Sequence, residues 1–167
     1  MATMEEATAI ITVKTQGPLS SQPGRAFDQR ALRAAVAAGE ILPVRQARHN
    51  TKEPYPRRVK LRDGRMLSFL TRTCRLTAGF PFANPDHLQP FQRANLIAAG
   101  RAGAIAGILV EAKGGSLDIV FWIPWEPLLD DAYRIEWTDE RLLFVGSAED
   151  RSIDLSLITK PQEVSRG

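Results

Sequence analysis

At 167 residues and 18.5 kDa, with 44% apolar and 25% charged side chains, the chain has the profile of one globular domain with a sizeable core. A lone cysteine, Cys74, excludes an intramolecular disulfide framework, and with only two histidines it falls short of a standard structural zinc site. No apolar run approaches the length of a membrane span and the acidic start, Met1 to Glu6, lacks the basic region of a signal peptide, so a cytoplasmic location without membrane contact is expected.

The net charge of +3 is unevenly spread. Lys14 to Arg75 carries 14 basic against 4 acidic side chains, whereas Leu76 to Gly167 carries 8 basic against 13 acidic. A basic half points to a polyanion, nucleic acid first, against the plainer reading of solvated surface on a two-signed protein.

In chain order, Ala7 to Val13 is β-rich and reads as a short strand or arm, closed by Gly17-Pro18 and Pro23-Gly24. Residues 1–24 are therefore set apart from a single domain over 25–160, followed by a tail over 161–167. Arg25 to Ala38 suits an amphipathic helix, with Phe27, Leu32, Ala35 and Val36 inward, Arg25, Arg30 and Arg33 on or near the wet side, and Gly39 closing it. Ile41 to Gln46 reads as a short strand, and the basic stretch Arg45 to Arg58 as a loop in which Arg48, His49, Asn50, Thr51 and Lys52 suit phosphate oxygens.

Next comes a hairpin. Two strand-like runs, Arg57 to Arg62 and Arg65 to Arg72, flank Asp63-Gly64, a pair suited to a two-residue type I′ turn. That turn would set Arg62 against Arg65, Leu61 against Met66 and Arg57 against Leu70. After Phe80-Pro81-Phe82-Ala83-Asn84, Asp86 and Gln89 have capping-box spacing, which predicts a helix from His87 to Gly100 with Phe91, Leu96 and Ile97 inward, Gln92, Arg93 and Asn95 polar, and His87 exposed. Ala104 to Val110 reads as a buried strand. Lys113-Gly114-Gly115 turns it toward Leu117 to Trp125, and Tyr133 to Trp137, Leu142 to Val145 and Ile153 to Ile158 read as further short strands. Trp122, Trp125 and Trp137 are expected in the core rather than on bases. The Gly-rich spots, Gly100 to Gly107 and Gly114-Gly115, lack the Lys-Ser/Thr of a P-loop.

Phe69, Phe80-Pro81-Phe82, Asn84, Gln89 and the strand Gly103-Ala104-Ile105-Ala106-Gly107-Ile108 resemble the RecU-type Holliday-junction resolvases, whose fold is the PD-(D/E)xK nuclease core. The resemblance implies an α/β restriction-endonuclease-like domain, a mixed sheet with flanking helices. In that family an opening helix often carries a carboxylate that helps bind metal, for which Asp28 and Glu40 are nominees; the bland reading of each is solvation. A hairpin then supplies an Asp and a Glu-x-Lys, which hold Mg²⁺ and stabilise the attacking water or developing charge. Carried over from Phe69, these positions fall at Arg57, Leu70 and Arg72, none of them matching. A displaced set, Asp86 with Glu111 and Lys113, spells the same signature and would take Mg²⁺ if active.

The expectation is thus a catalytically inactive DNA-binding protein of the junction-resolvase type, with no cofactor, acting on possibly branched DNA as a homodimer by analogy. Its DNA contacts are expected from Arg45, Arg48, Lys52, Arg57, Arg58, Lys60, Arg62, Arg65, Arg72 and Arg75. Two alternatives stand beside it: a metal-dependent structure-specific endonuclease using the displaced site, and a protein-interaction module that regulates a nucleic-acid enzyme and meets a protein partner through its acidic half.

Overall fold

The computed structural model describes residues 23–43, 55–76, 79–82, 87–114, 117–130, 134–147 and 153–160. The arm over Ala7 to Val13, the phosphate-suited loop with Arg45, Arg48, His49 and Lys52, the cap candidate Asp86 and the tail over 161–167 lie outside the described residues.

Helix α1 (Pro23–Ala38) leads into strand β1 (Gly39–Ile41), which pairs antiparallel with β2 (Arg57–Leu61), and β2 pairs antiparallel with β3 (Met66–Arg75). After the short β4 (Gly79–Phe80), helix α2 (Pro90–Arg101) carries the chain across the sheet so that β5 (Ile105–Gly114) lies parallel to β3. Strands β6 (Leu117–Pro124) and β8 (Leu143–Ser147) continue antiparallel, giving a mixed six-stranded sheet in the order β1-β2-β3-β5-β6-β8. A separate two-stranded sheet pairs β4 with β7 (Ile135–Glu136). The chain is therefore α/β with a mixed sheet, as expected.

Both faces of the sheet are covered, which is why β5 reads as an almost unbroken apolar run. On one face the i, i+4, i+8 stripe of α1, Phe27, Ala31 and Ala35, packs onto a core containing Val59, Leu61, Leu67, Phe69, Leu109, Val120 and Trp122. On the other, Leu96 of α2 joins Phe80, Phe82, Leu88 and Leu128 over Leu70, Ile108, Val110, Phe121 and Ile123. Fully burying each such side chain stabilises the fold by about 1.5–3 kcal/mol before entropy is counted. The tryptophans belong to these layers: Trp122 is buried, Trp125 and Trp137 are partly buried against the second core, and Trp137 stacks on Phe121 at 4.7 Å.

The hairpin register differs from the expected one by a residue. Gly64 N–H donates to the Leu61 carbonyl at 2.9 Å and Leu61 N–H to the Arg65 carbonyl at 2.8 Å, so the loop comprises Arg62, Asp63 and Gly64. Gly64 takes the left-handed conformation at φ 91°, and Asp63 Oδ1 accepts the N–H of Arg65 at 3.0 Å. This is a type I turn closed by a left-handed glycine, with an Asx-type bond across its corner, so Asp-Gly serves a three-residue loop instead of a type I′ turn. The Asp63 carboxyl is held below its usual range chiefly by that backbone bond and by the Arg65 side chain. Leu61 consequently meets Arg65, Lys60 meets Met66, and Arg57 meets Phe69, where the two-residue turn would have given Leu70. A one-residue slip exchanges faces, and that decides the site.

Other differences are smaller. Helix α2 begins at Pro90, not His87: Pro90 suits the first helical position, and the Gln92 side chain reaches back to accept the N–H of Gln89 at 3.0 Å. It ends in a Schellman motif, Ala104 N–H to Ala99 O and Gly103 N–H to Gly100 O, with Gly103 at φ 97°. Of the strand expected at Ile41 to Gln46, Ile41 closes β1 (Gly39–Ile41) and residues 44–46 lie outside the described residues, and β5 runs on to Gly114. Ile153 to Ile158 is not a strand: Ile153 makes one bridge to Gly146, and Ser156–Thr159 form the short helix α3.

Candidate functional site

Directly paired residues share a face of a sheet, and alternate residues of a strand return to it. Arg57, paired with Phe69, therefore shares its face with Thr71, Thr73 and Arg75, and the parallel register adds Glu111 beside Thr73 and Lys113 beside Arg75. This is the face on which α1 packs, and α1 contributes Asp28 and Arg30. Two carboxylates, four cations and two hydroxyls thus gather where the C-terminal ends of β3 and β5 pass the helix.

Each carboxylate is already engaged. Asp28 accepts two bonds from one guanidinium, Arg57 Nε at 3.2 Å and Nη2 at 2.5 Å, and a third from the Thr71 hydroxyl at 2.8 Å. Glu111, only 4% exposed, accepts from Arg30 Nη1 at 2.8 Å, and Lys113 Nζ stands 3.7 Å from its other oxygen. The forked Arg57–Asp28 geometry is the strong form of an ion pair, and Arg30 and Lys113 give the buried Glu111 carboxylate cationic partners. The Thr73 Oγ1 atom is buried and makes no hydrogen bond among the described residues. No group of three or more His, Cys, Asp or Glu is placed to hold a metal ion among the described residues.

Of the two carboxylates nominated for metal, Asp28 enters this cluster. Glu40 does not, because it lies on β1 opposite Lys60, on the other side of the sheet. Leu70 and Arg72 also leave the expected constellation: both point to the α2 face, away from Arg57. Leu70 is buried in the second core, and Arg72 donates to His87 O at 2.6 Å, Thr71 O at 2.7 Å and Gln92 Oε1 at 2.7 Å. Arg72 thus ties β3 to the start of α2, which explains why Gln92, expected on the polar side, is fully buried. His87, expected exposed, is half-buried with its ring edge-on to Phe80 at 5.7 Å. In the displaced set Glu111 and Lys113 are neighbours on one face, while Asp86 lies outside the described residues.

The remaining basic candidates do not form one stripe. Arg58 is on the α2 face and donates to Pro43 O at 3.3 Å, and Lys60 is exposed on the same face. Arg62 and Arg65 sit at the hairpin loop, at the far end of β3 from Arg75, where Arg62 donates to Ala37 O and Arg65 to Thr159 O. Among the described candidates, Arg75 alone is exposed beside Lys113 at the cluster. Sequence reading missed Arg30, Thr71 and Thr73. One signal was available, since a glutamate two-thirds along an apolar strand, Ile105-Ala106-Gly107-Ile108-Leu109-Val110-Glu111, must find a cation.

No family model matches the chain, and no curated protein or solved structure matches it either.

Proposed function

We propose that this protein is a DNA-binding member of the nuclease-fold class, related to the junction resolvases, that holds DNA phosphates without metal-dependent cleavage. One observation carries the reading: the Arg57 guanidinium grips the Asp28 carboxylate in a fork, at the meeting of opening helix and hairpin where a nuclease of this class would hold its metal. An arginine there supplies the positive charge a cation would have supplied, and it cannot activate water. The order of elements supports the same class, with an opening helix, an antiparallel hairpin and a helical crossover to a parallel strand. The cluster's surplus of cations, with Arg75 and Lys113 at its accessible side, suits phosphate oxygens, and a symmetric pair of copies would suit a two-fold junction.

Anisotropy with labelled four-way junctions, flaps and duplexes tests the proposal. Contact with about five phosphates gives a slope of log K against log salt near −4.5 on duplex DNA, and Arg75→Gln with Lys113→Gln flattens it by about two. None of these substrates is cut with Mg²⁺ or Mn²⁺. Cleavage abolished by Glu111→Gln would overturn the proposal in favour of the displaced-site endonuclease, and absence of binding at low salt would favour a protein-interaction module.

A further inference from the structure

The sheet face opposite the charged cluster carries a groove of about 470 Å³ between the β2–β3 hairpin and the exposed side of α2. Among the described residues its lining includes Tyr55, Arg58, Ser68, Asn95 and Ala98, with one cation and no carboxylate. We propose that this groove binds a nucleotide, with the phosphate on Arg58 and Ser68 and the base between Tyr55 and Asn95.

The placement follows from the register. Arg58 and Ser68 are directly paired across β2 and β3 and both line the groove, so a guanidinium, which also donates to Pro43 O at 3.3 Å, and a hydroxyl border it as donors suited to an anionic oxygen. Ser68 is 3% exposed, so its hydroxyl stands at the floor of the groove where little water competes. On the helix side, Asn95 Nδ2 donates to Phe91 O at 2.7 Å, which directs Oδ1 outward as an acceptor for an exocyclic amino group. Phe91 also holds the Tyr55 ring edge-on, at 5.3 Å and 79°, so the aromatic wall is fixed before any ligand arrives. The small side chain of Ala98 leaves the space between them open, and the volume lies within the range of small-ligand pockets. A purely apolar ligand would cover the Ser68 hydroxyl and the Asn95 Oδ1 without bonding them, and a cationic one would meet Arg58, so the lining favours a base joined to a phosphate.

Calorimetry on the full chain with deoxyadenosine monophosphate, deoxyadenosine and inorganic phosphate tests the assignment. The monophosphate binds at least about tenfold tighter than either fragment, and Ala98→Phe, which fills the groove from an exposed helical position, weakens it by about tenfold or more, as does Arg58→Gln. Two duplexes, one blunt and one with a single-stranded overhang, separate the sources of the nucleotide. An overhang preference lost in Ala98→Phe assigns the groove to an unstacked nucleotide of a DNA strand, whereas monophosphate binding without that preference assigns it to a free nucleotide. No monophosphate binding, equal binding of phosphate alone, or binding unchanged in folded Ala98→Phe overturns the proposal. Blunt-duplex affinity and its salt slope belong to the other face and stay at parental values in Ala98→Phe, so failure here is distinguishable from failure of the DNA-binding reading.

Discussion

Replacing Arg57 by a carboxylate tests the cluster geometry most directly. Asp28 now has Arg57 and the Thr71 hydroxyl as its partners, the hydroxyl 2.8 Å from Oδ1. In an Arg57→Asp, Thr71→Glu double variant the guanidinium is gone, and two new carboxylates stand on the sheet face that Asp28 packs against. The local charge of Asp28 with these two positions goes from zero to about −3. At an effective dielectric of 20, each unit-charge pair 4 Å apart is worth about 4 kcal/mol, so a divalent cation is strongly favoured even after its dehydration is counted. Calorimetry with Mn²⁺ should give a Kd of about 1 mM or tighter in the variant and no binding in the parent, with a metal-dependent rise in melting temperature. A control, Arg57→Asp with Leu70→Glu and Arg72→Lys, places its second carboxylate in the core on the other face. It should bind no metal and lose at least about 3 kcal/mol, from a vacated Leu70 site and a buried charge. A folded double variant that ignores Mn²⁺, or a control that binds it as well, would refute the register and the site together.

Arg72→Ala should cost about 2–4 kcal/mol in urea denaturation, because the His87 carbonyl and the Gln92 side chain lose their charged donor, while the salt slope of DNA binding stays unchanged. Gly64→Ala should cost about 1 kcal/mol through the left-handed conformation alone, since an added Cβ meets nothing within 4 Å; a cost under a few tenths would mean that the turn is not the one described. Burial pushes the Cys74 thiol up to about 11, above its ordinary value of 9.0. Its neutral form is favoured in the folded state, so this stabilisation is intact below pH 9 and is lost as the pH rises toward 11; alkylation of the native protein at pH 8 should run roughly 100-fold slower than that of the urea-unfolded chain.

The sequence by itself determined the elements whose signals are local. The i, i+4 stripe of α1, the apolar run of β5 and the strand–turn–strand pattern around Asp63-Gly64 are written in residue spacing, and each is found close to its expected bounds. The resemblance nominated Asp28, beside Glu40, on the helix and placed a non-matching Arg57 on the hairpin, but nothing in the sequence paired Arg57 with Asp28. What the sequence left open was the turn type, because Asp-Gly satisfies either a two-residue type I′ turn or a type I turn closed by a left-handed glycine. Only the tertiary structure chose, through the Gly64-to-Leu61 and Leu61-to-Arg65 bonds, and that single residue of register moved Leu70 and Arg72 to the α2 side. Long-range pairing decided the rest: Arg30 meets Glu111 across 81 residues, and Arg72 finds Gln92 at the start of a helix that begins later than its cap spacing suggested. A strand's period of two fixes which residues share a face but not which face they share it with, so the partners of every charged side chain on this sheet were set by packing.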